Sequence, residues 1–509
     1  MKAAAVLAVG AYLTCSVGAK NPGGIVQWGI ERKQAPPKGL YKRASTYEEI
    51  ITNELQRGGY FATCSVGTPG QNLTLQLDTG SSDTWVPDSD AEVCHDTQNN
   101  PQGCTFGTFD SSLSTSFKTV GSDKFDIGYV DGTYSKGDYF TDAFEIGGAT
   151  VGNVTMGLGL DTDISYGLVG IGYALNEAIV GGAKSVYPNL PVTMMNEGLI
   201  NTIAYSLWLN DLDAATGNIL FGGIDTKKYV GDLTRINISP DSQTGLHNSF
   251  LVPLTSLHAV SPSGNDTLAS RQFPIPVVLD SGTTLSYLPT DIAMQIWNEV
   301  GAIYSRDMDL ALIPCSMASS KGYFSFGFAG PDGPEIHVKM DELVLDLTSG
   351  PPLNFASGPY RGQAACEFGI QNFSRDPFLL GDTFLRSAYV VYDLVNHQIG
   401  IAATDFNATD SEIVPFPSLS AHIPSATAAR NQGQVTARPS VTMPTYAALD
   451  GFRDSTTAAA GGDGGGGSGS TGGSKNAGAL LEPFGFTHLA VLSVVMGSVV
   501  AGSGLFLLF

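Results

Sequence analysis

The sequence predicts an all-β body built from two related lobes, and three observations carry that expectation. From about Gly59 to Ala403 the chain is a succession of short apolar runs, many alternating with period two and cut by Gly, Asn, Asp and Pro. Two segments nearly repeat each other: LQLDTGSSDTW, with Asp78, and VVLDSGTTLSY, with Asp280, 202 residues further on. A second echo follows each. GLVGIG at 167–172 and FLLGDTF at 378–384 both run an apolar strand into glycine, roughly 90–100 residues after the aspartate. Such a repeat puts one aspartate in each lobe and the site between them.

The elements follow in chain order. Residues 1–19 pair a charged start with an apolar run and small residues near Ala19, which reads as a secretory signal cut after Ala19. Residues 20–43 carry six basic residues against one acidic and end in Lys42-Arg43. They read as a pro-segment removed at a dibasic site by a processing protease. Its positive charge would complement an acidic body and cover the cleft. The amino-terminal lobe is assigned to 44–240 and the carboxyl-terminal lobe to 241–408. Two helices interrupt the strands, one near 190–200 and one around 290–304, the latter from the spacing of Ile292, Ile296, Trp297 and Val300. Residues 409–475 are rich in Ser, Thr, Ala, Pro and Gly and read as an unfolded stalk. Residues 476–509 end in a long apolar run preceded by small residues and a spacer. This is the layout of a GPI-attachment signal, with Asn476 as the attachment residue and Gly473 or Ser474 as alternatives. A transmembrane helix is the competing reading of that run.

Lys and Arg number 26 against 48 Asp and Glu, a formal charge of -22, which argues against a nucleic-acid partner. Once Cys15 leaves with the signal, five cysteines remain. Cys94–Cys104 is the natural local bridge, Cys315–Cys366 closes a loop in the second half, and Cys64 is left as a buried thiol. Asn72, Asn153, Asn237, Asn265, Asn372 and Asn407 head Asn-x-Ser/Thr sites, as expected of a secreted glycoprotein. No cysteine–histidine cluster with metal spacing appears, no Gly-x-Ser-x-Gly elbow accompanies a placed histidine, and no cofactor or metal is expected.

The paired aspartates define a chemistry. Two carboxyls within a few ångströms share one proton, because each charge opposes the other's ionisation. The ionised member takes a proton from a water held between them, and the neutral member hydrogen-bonds the substrate carbonyl. Gly80 and Gly282 allow close backbone approach. The hydroxyls of Thr79, Ser81, Ser281 and Thr283 are placed to orient the carboxyls.

These residues resemble the pepsin-like aspartic proteases over roughly 58–405. YFATCSVGTPGQNLTLQLDTGSSDTWVP is similar to that family's amino-terminal signature, and FLLGDTFLRSAYVVYDLVNHQIGIA to its closing segment. The resemblance implies a bilobal pepsin-like fold, a cleft crossing both lobes, Asp78 and Asp280 as the catalytic pair, and a monomeric endopeptidase acting on proteins and peptides. It also places IGYVDGTYSKG at a β-hairpin flap with Tyr129, and Trp85 behind that tyrosine. Asp131 matches a flap position where some fungal members carry an aspartate favouring lysine at the cleaved bond. The whole layout resembles the fungal GPI-anchored yapsin-type subfamily, which prefers basic residues and sits at the cell surface. The loop between Cys94 and Cys104 departs from it in being brief. The alternative is an inactive pepsin-like binding or cell-wall protein.

Overall fold

Alternation in the sequence becomes alternation in burial from the first strand. The computed structural model describes residues 24–33, 59–432 apart from 99, 181–184, 215 and 348–351, and 444–453. Strand β1 (Val26–Lys33) buries Val26, Trp28 and Ile30 and exposes the residues between them. Strands β2 (Gly59–Val66) and β3 (Gln71–Asp78) pair antiparallel, with Ala62 opposite Leu75 and Cys64 opposite Leu73. β1 lies between β2 and the strand Thr216–Phe221 and pairs with both, in the interior of a 14-stranded sheet.

The second sequence echo is a repeated piece of architecture. β3 pairs parallel with Leu168–Gly170, so that Asp78 lies opposite Gly170. Ile275–Leu279 pairs parallel with Phe378–Leu380 in the same way. In each lobe one more short strand meets this pair antiparallel: β4 (Thr84–Pro87) in the first and Ser286–Pro289 in the second. Each aspartate therefore sits where a strand stops and the chain loops out between two neighbours.

The second lobe is built on an eight-stranded sheet that includes Leu251–Ser261 and Ile275–Leu279. Its chain then returns: Ala388–Asp393 and Gln398–Thr404 pair beside Ala204–Trp208 in the first sheet. The lobes thus share a sheet beneath the site. The fold is mostly β, with few short helices, as the sequence predicts. Helices form at Leu190–Asn196 and Thr290–Val300, the second burying Ile292, Ile296, Trp297 and Val300.

Both ends of the chain add more to the packed body than the sequence predicts. The described part of the expected pro-segment, residues 24–33, contains the sheet strand β1, because three alternating apolar side chains give it an interior face. The packed body also does not end at 408. Ile413–Pro415 pairs with Gly223–Asp225, and Phe416 and Ile423 are buried. Residues 444–453 dock on the second lobe, where Phe452 is buried and stacks on Phe324 at 5.4 Å. Asp266 holds this strap, accepting from Thr445 N at 3.0 Å and Ala448 N at 2.8 Å. A few apolar anchors and one buried carboxylate suffice to fix a segment of stalk-like composition. The expected signal at 1–19, residues 20–23 and 34–43 of the expected pro-segment, residues 433–443 and 454–475 of the expected stalk, and the expected attachment signal at 476–509 lie outside the described residues.

Candidate active site

The loops that follow β3 and Ile275–Leu279 meet and cross-link. Thr79 Oγ1 donates to Leu279 O at 3.0 Å and accepts from Ser281 N at 2.9 Å. In return, Ser281 Oγ donates to Leu77 O at 3.0 Å and accepts from Thr79 N at 3.2 Å. Thr79 and Ser281 are both buried, so these bonds work without competition from water. One hydroxyl from each lobe locks the other lobe's loop.

The two carboxyls are held alike. Asp78 Oδ1 accepts from Gly80 N at 2.8 Å and Ser81 N at 3.2 Å, and its Oδ2 accepts from Ser81 Oγ. Asp280 Oδ1 accepts from Gly282 N at 2.9 Å, and its Oδ2 from Thr283 Oγ1 at 2.6 Å. Asp78 and Asp280 face each other closely enough for the charge of one to bear on the other. A side-chain carbon on Gly80 would collide with the Asp280 carboxyl, and one on Gly282 with Asp78. Glycine at these two positions is therefore what lets the carboxyls meet.

Meeting has an electrostatic consequence. Burial first, and the neighbouring Asp280 charge second, push Asp78 up to about 7, against the bonds from Ser81 and Gly80 that favour its ionised form. The pair thus retains a proton through the acid range, and titrates as a unit.

A cleft of about 950 Å³ runs past the pair between the lobes. Its roof is the hairpin of β5 (Lys118–Gly128) and β6 (Tyr134–Ile146). The turn closes through Tyr129 N donating to Thr133 O at 2.8 Å, with Gly132 in the left-handed region at φ 84°. Asp131 stabilises the turn by accepting from Thr133 N at 2.9 Å and Thr133 Oγ1 at 2.6 Å. Tyr129, Val130 and Asp131 all line the cleft. Trp85, fully buried on β4, donates from Nε1 to Tyr129 Oη at 2.8 Å. Burial and then the charge of Asp78 hold the Tyr129 phenol well above its usual range, so it stays neutral.

Several supporting residues carry no local signal in the sequence. Asp83 accepts from Tyr139 Oη and Tyr187 Oη, both at 2.8 Å, and from Ala178 N at 2.8 Å, tying three segments together beneath the flap. Asn176 Nδ2 donates to Gly80 O at 3.0 Å and Gln76 Nε2 to Gly282 O at 3.2 Å, bracing both aspartate loops from the side. Glu177, buried in the cleft wall, is pushed up to about 8 mainly by that burial.

Cys94–Cys104 and Cys315–Cys366 are disulfides, and Cys64 is a buried free thiol. Among the sequon asparagines, Asn72, Asn153, Asn237, Asn265 and Asn407 are exposed, whereas Asn372 is half-buried and lines the cleft. Asn476 lies outside the described residues.

Comparison with known proteins adds to this geometry. Residues 59–404 match the family model described as eukaryotic aspartyl protease. The chain is 42% identical over 370 residues to a probable aspartic-type endopeptidase opsB of Aspergillus fumigatus, covering 72% of this chain and 73% of that one. It is 40% identical over 422 residues to a probable aspartic-type endopeptidase OPSB of Trichophyton verrucosum, covering 81% and 82%. Aspartic proteinase yapsin-3 of Saccharomyces cerevisiae is 31% identical over 407 residues, covering 78% and 75%.

Proposed function

This chain belongs to the eukaryotic aspartyl protease family, and from that premise we propose that Asp78 and Asp280 are its catalytic pair, hydrolysing peptide bonds through a water held between them. The chain is an aspartic-type endopeptidase, and proteins or peptides are its substrates. The observation that carries the assignment is the convergence of two equivalently held carboxyls in the wall of one cleft.

The geometry supports a sequence of events. With one proton on the pair, the ionised carboxyl takes a proton from the water as it attacks the scissile carbonyl. The neutral carboxyl donates to the carbonyl oxygen as negative charge grows there. Ser81 and Thr283, each donating to one carboxyl, fix the outer oxygens. The proton then passes to the leaving nitrogen, and the peptide bond breaks. The flap lies over this centre, with Tyr129 braced by Trp85, and excludes bulk water when a peptide is bound. Retention of the shared proton below about pH 7 supports work in acid.

A preference for basic residues is the finer part of the reading. The half-buried carboxyl of Asp131 on the flap supports it. So does the formal charge of -22. We assign the chain ends as in the sequence: export by residues 1–19, processing after Arg43 by a dibasic-cleaving protease, and GPI attachment at Asn476, holding the enzyme outside the cell. The two disulfides support an oxidising destination. No described helix is long and apolar enough to cross a membrane.

Cleavage of an unstructured protein across the acid range tests the proposal. The expected result is cleavage that fades as pH rises past about 7, where the pair loses its proton, and that is absent in Asp78→Asn. Undiminished cleavage by Asp78→Asn would overturn it.

A further inference from the structure

The charge distribution inside the cleft is one-sided. Among the described residues lining it there is no Lys, Arg or His, while Asp126, Asp131, Glu177 and Asp309 line it besides the central pair. These four are not equivalent. Asp126 is paired with Lys136 at 3.2 Å. Glu177 is buried, accepts from Tyr187 N at 2.9 Å, and keeps its proton in acid. Asp131 is engaged with Thr133 inside the flap turn. Asp309 alone of the four is exposed without a basic neighbour bonded to it, and it belongs to the second lobe, whereas the flap belongs to the first.

The position of Asp309 is built. It ends the loop 306–309 joining the antiparallel strands Ile303–Ser305 and Leu310–Pro314. Its backbone is in the left-handed region at φ 51°, which aspartate tolerates better than most residues. Tyr304 Oη donates to Asp309 Oδ1. The Tyr304 ring stacks on Trp297 at 5.8 Å, and Trp297 Nε1 donates to Ile370 O at 2.9 Å. Gln371 then grips the same hairpin, accepting from Ala311 N at 2.8 Å. The strand Ile370–Phe373 is itself part of the cleft wall, through Gln371 and Asn372. A chain of contacts therefore holds this carboxylate relative to the wall a peptide would lie on, with Oδ2 left to accept from a ligand.

We propose that Asp309 is a specificity-determining residue that receives a lysine or arginine side chain of the substrate, at a position along the peptide different from the one facing Asp131 on the flap. The inference rests on the reading of this cleft as the peptide-binding site. A cationic nitrogen meeting Oδ2 makes a charge-assisted hydrogen bond, stronger than a neutral one and weakened by salt. Tyr304, donating to the other oxygen, keeps the carboxylate from turning away. The cleft then favours peptides carrying two separated basic residues, one for each lobe.

The test uses the full-length enzyme, Asp309→Asn, Asp131→Asn and Asp280→Asn, at one acid pH. The peptides share a norleucine-rich core and carry a single lysine moved through each position on both sides of the cleaved bond. Asp309→Asn is expected to lower kcat/KM about three- to fivefold, through KM, for lysine at one position only, as loss of one exposed ionic contact would. The all-norleucine peptide and the other lysine positions stay within about twofold. Raising ionic strength from roughly 0.05 to 0.5 M shrinks the wild-type preference at that position and leaves Asp309→Asn unaffected. If Asp309→Asn keeps every wild-type lysine-to-norleucine ratio, or loses the same position as Asp131→Asn, the assignment of Asp309 is overturned. Cleavage that survives in Asp280→Asn would instead overturn the reading of the active site beneath it.

Discussion

Replacing Glu299 by glutamine is expected to make the enzyme relatively more stable as pH rises. Glu299 is fully buried on the helix Thr290–Val300, and neither of its oxygens receives a hydrogen bond from a described donor. The group facing it is Asp266. Burial alone would raise Asp266, but bonds from Thr445 and Ala448 outweigh it and hold Asp266 below the usual carboxylate range. Two acceptors facing each other are satisfied only if one carries a proton. Burial, then the charge of Asp266, push Glu299 up from 4.5 to about 8. In the folded protein it keeps a proton that the unfolded chain has already released. Its contribution to stability is therefore complete below about pH 4.5 and is lost as pH climbs through about 8. The slope is about 1.4 kcal/mol per pH unit for one proton, so the loss between pH 5.5 and 7.5 is about 3 kcal/mol. Glutamine does not titrate, and its amide still donates to Asp266. Thermal unfolding would be followed across this range in an Asp280→Asn background, which prevents self-digestion. The gap between Glu299→Gln and its parent should move by about 3 kcal/mol in favour of the variant, or roughly 5 °C for a chain of this size. Parallel pH profiles for the two proteins would refute the reasoning.

Other perturbations have definite expected outcomes. Thr79→Val removes a hydroxyl that both donates to Leu279 O and accepts from Ser281 N, leaving buried groups unpaired. It should cost about 2–4 kcal/mol of stability and most of the activity, read by unfolding and peptide cleavage. Trp28→Ala empties a buried site on β1 and frees Thr63 O, which accepts from Trp28 Nε1 at 2.8 Å. A loss of about 3–5 kcal/mol should appear as a lower yield of folded protein. Phe452→Ala should loosen the strap 444–453 and speed its proteolytic removal, with kcat/KM within about twofold of wild type, because the strap lies outside the cleft.

The site was far more legible than its supports. Asp78 and Asp280 announced themselves because the chemistry needs a carboxyl, then a glycine two residues on, then a hydroxyl, and needs it twice. GLVGIG and FLLGDTF were readable because both lobes solve the same problem of flanking a looped-out aspartate. The disulfides and the helix at 290–300 followed from spacing. Asp83, Glu177 and Asp309 were silent, since a lone acidic residue acquires a role only when folding brings Tyr139, Tyr187 or Tyr304 to it. VQWGIERK did alternate visibly, but the surrounding basic charge argued louder than Val26, Trp28 and Ile30. The segment 409–453 misled for a related reason. Its average composition is that of a linker, while its described parts, 409–432 and 444–453, are placed by Phe416, Ile423 and Phe452, three residues that an average hides.

The central claim is that the two aspartates work as one unit around one water. It is tested by kcat/KM for Asp78→Asn, Asp280→Asn and the double variant, on a single peptide at a single acid pH, with unfolding profiles showing all three folded. Each single variant should lose at least about a thousandfold, and the double variant should lose no more than a few-fold beyond either, because removing one member already disables the pair. A single variant within about tenfold of wild type, or losses that multiply in the double variant, would contradict the account.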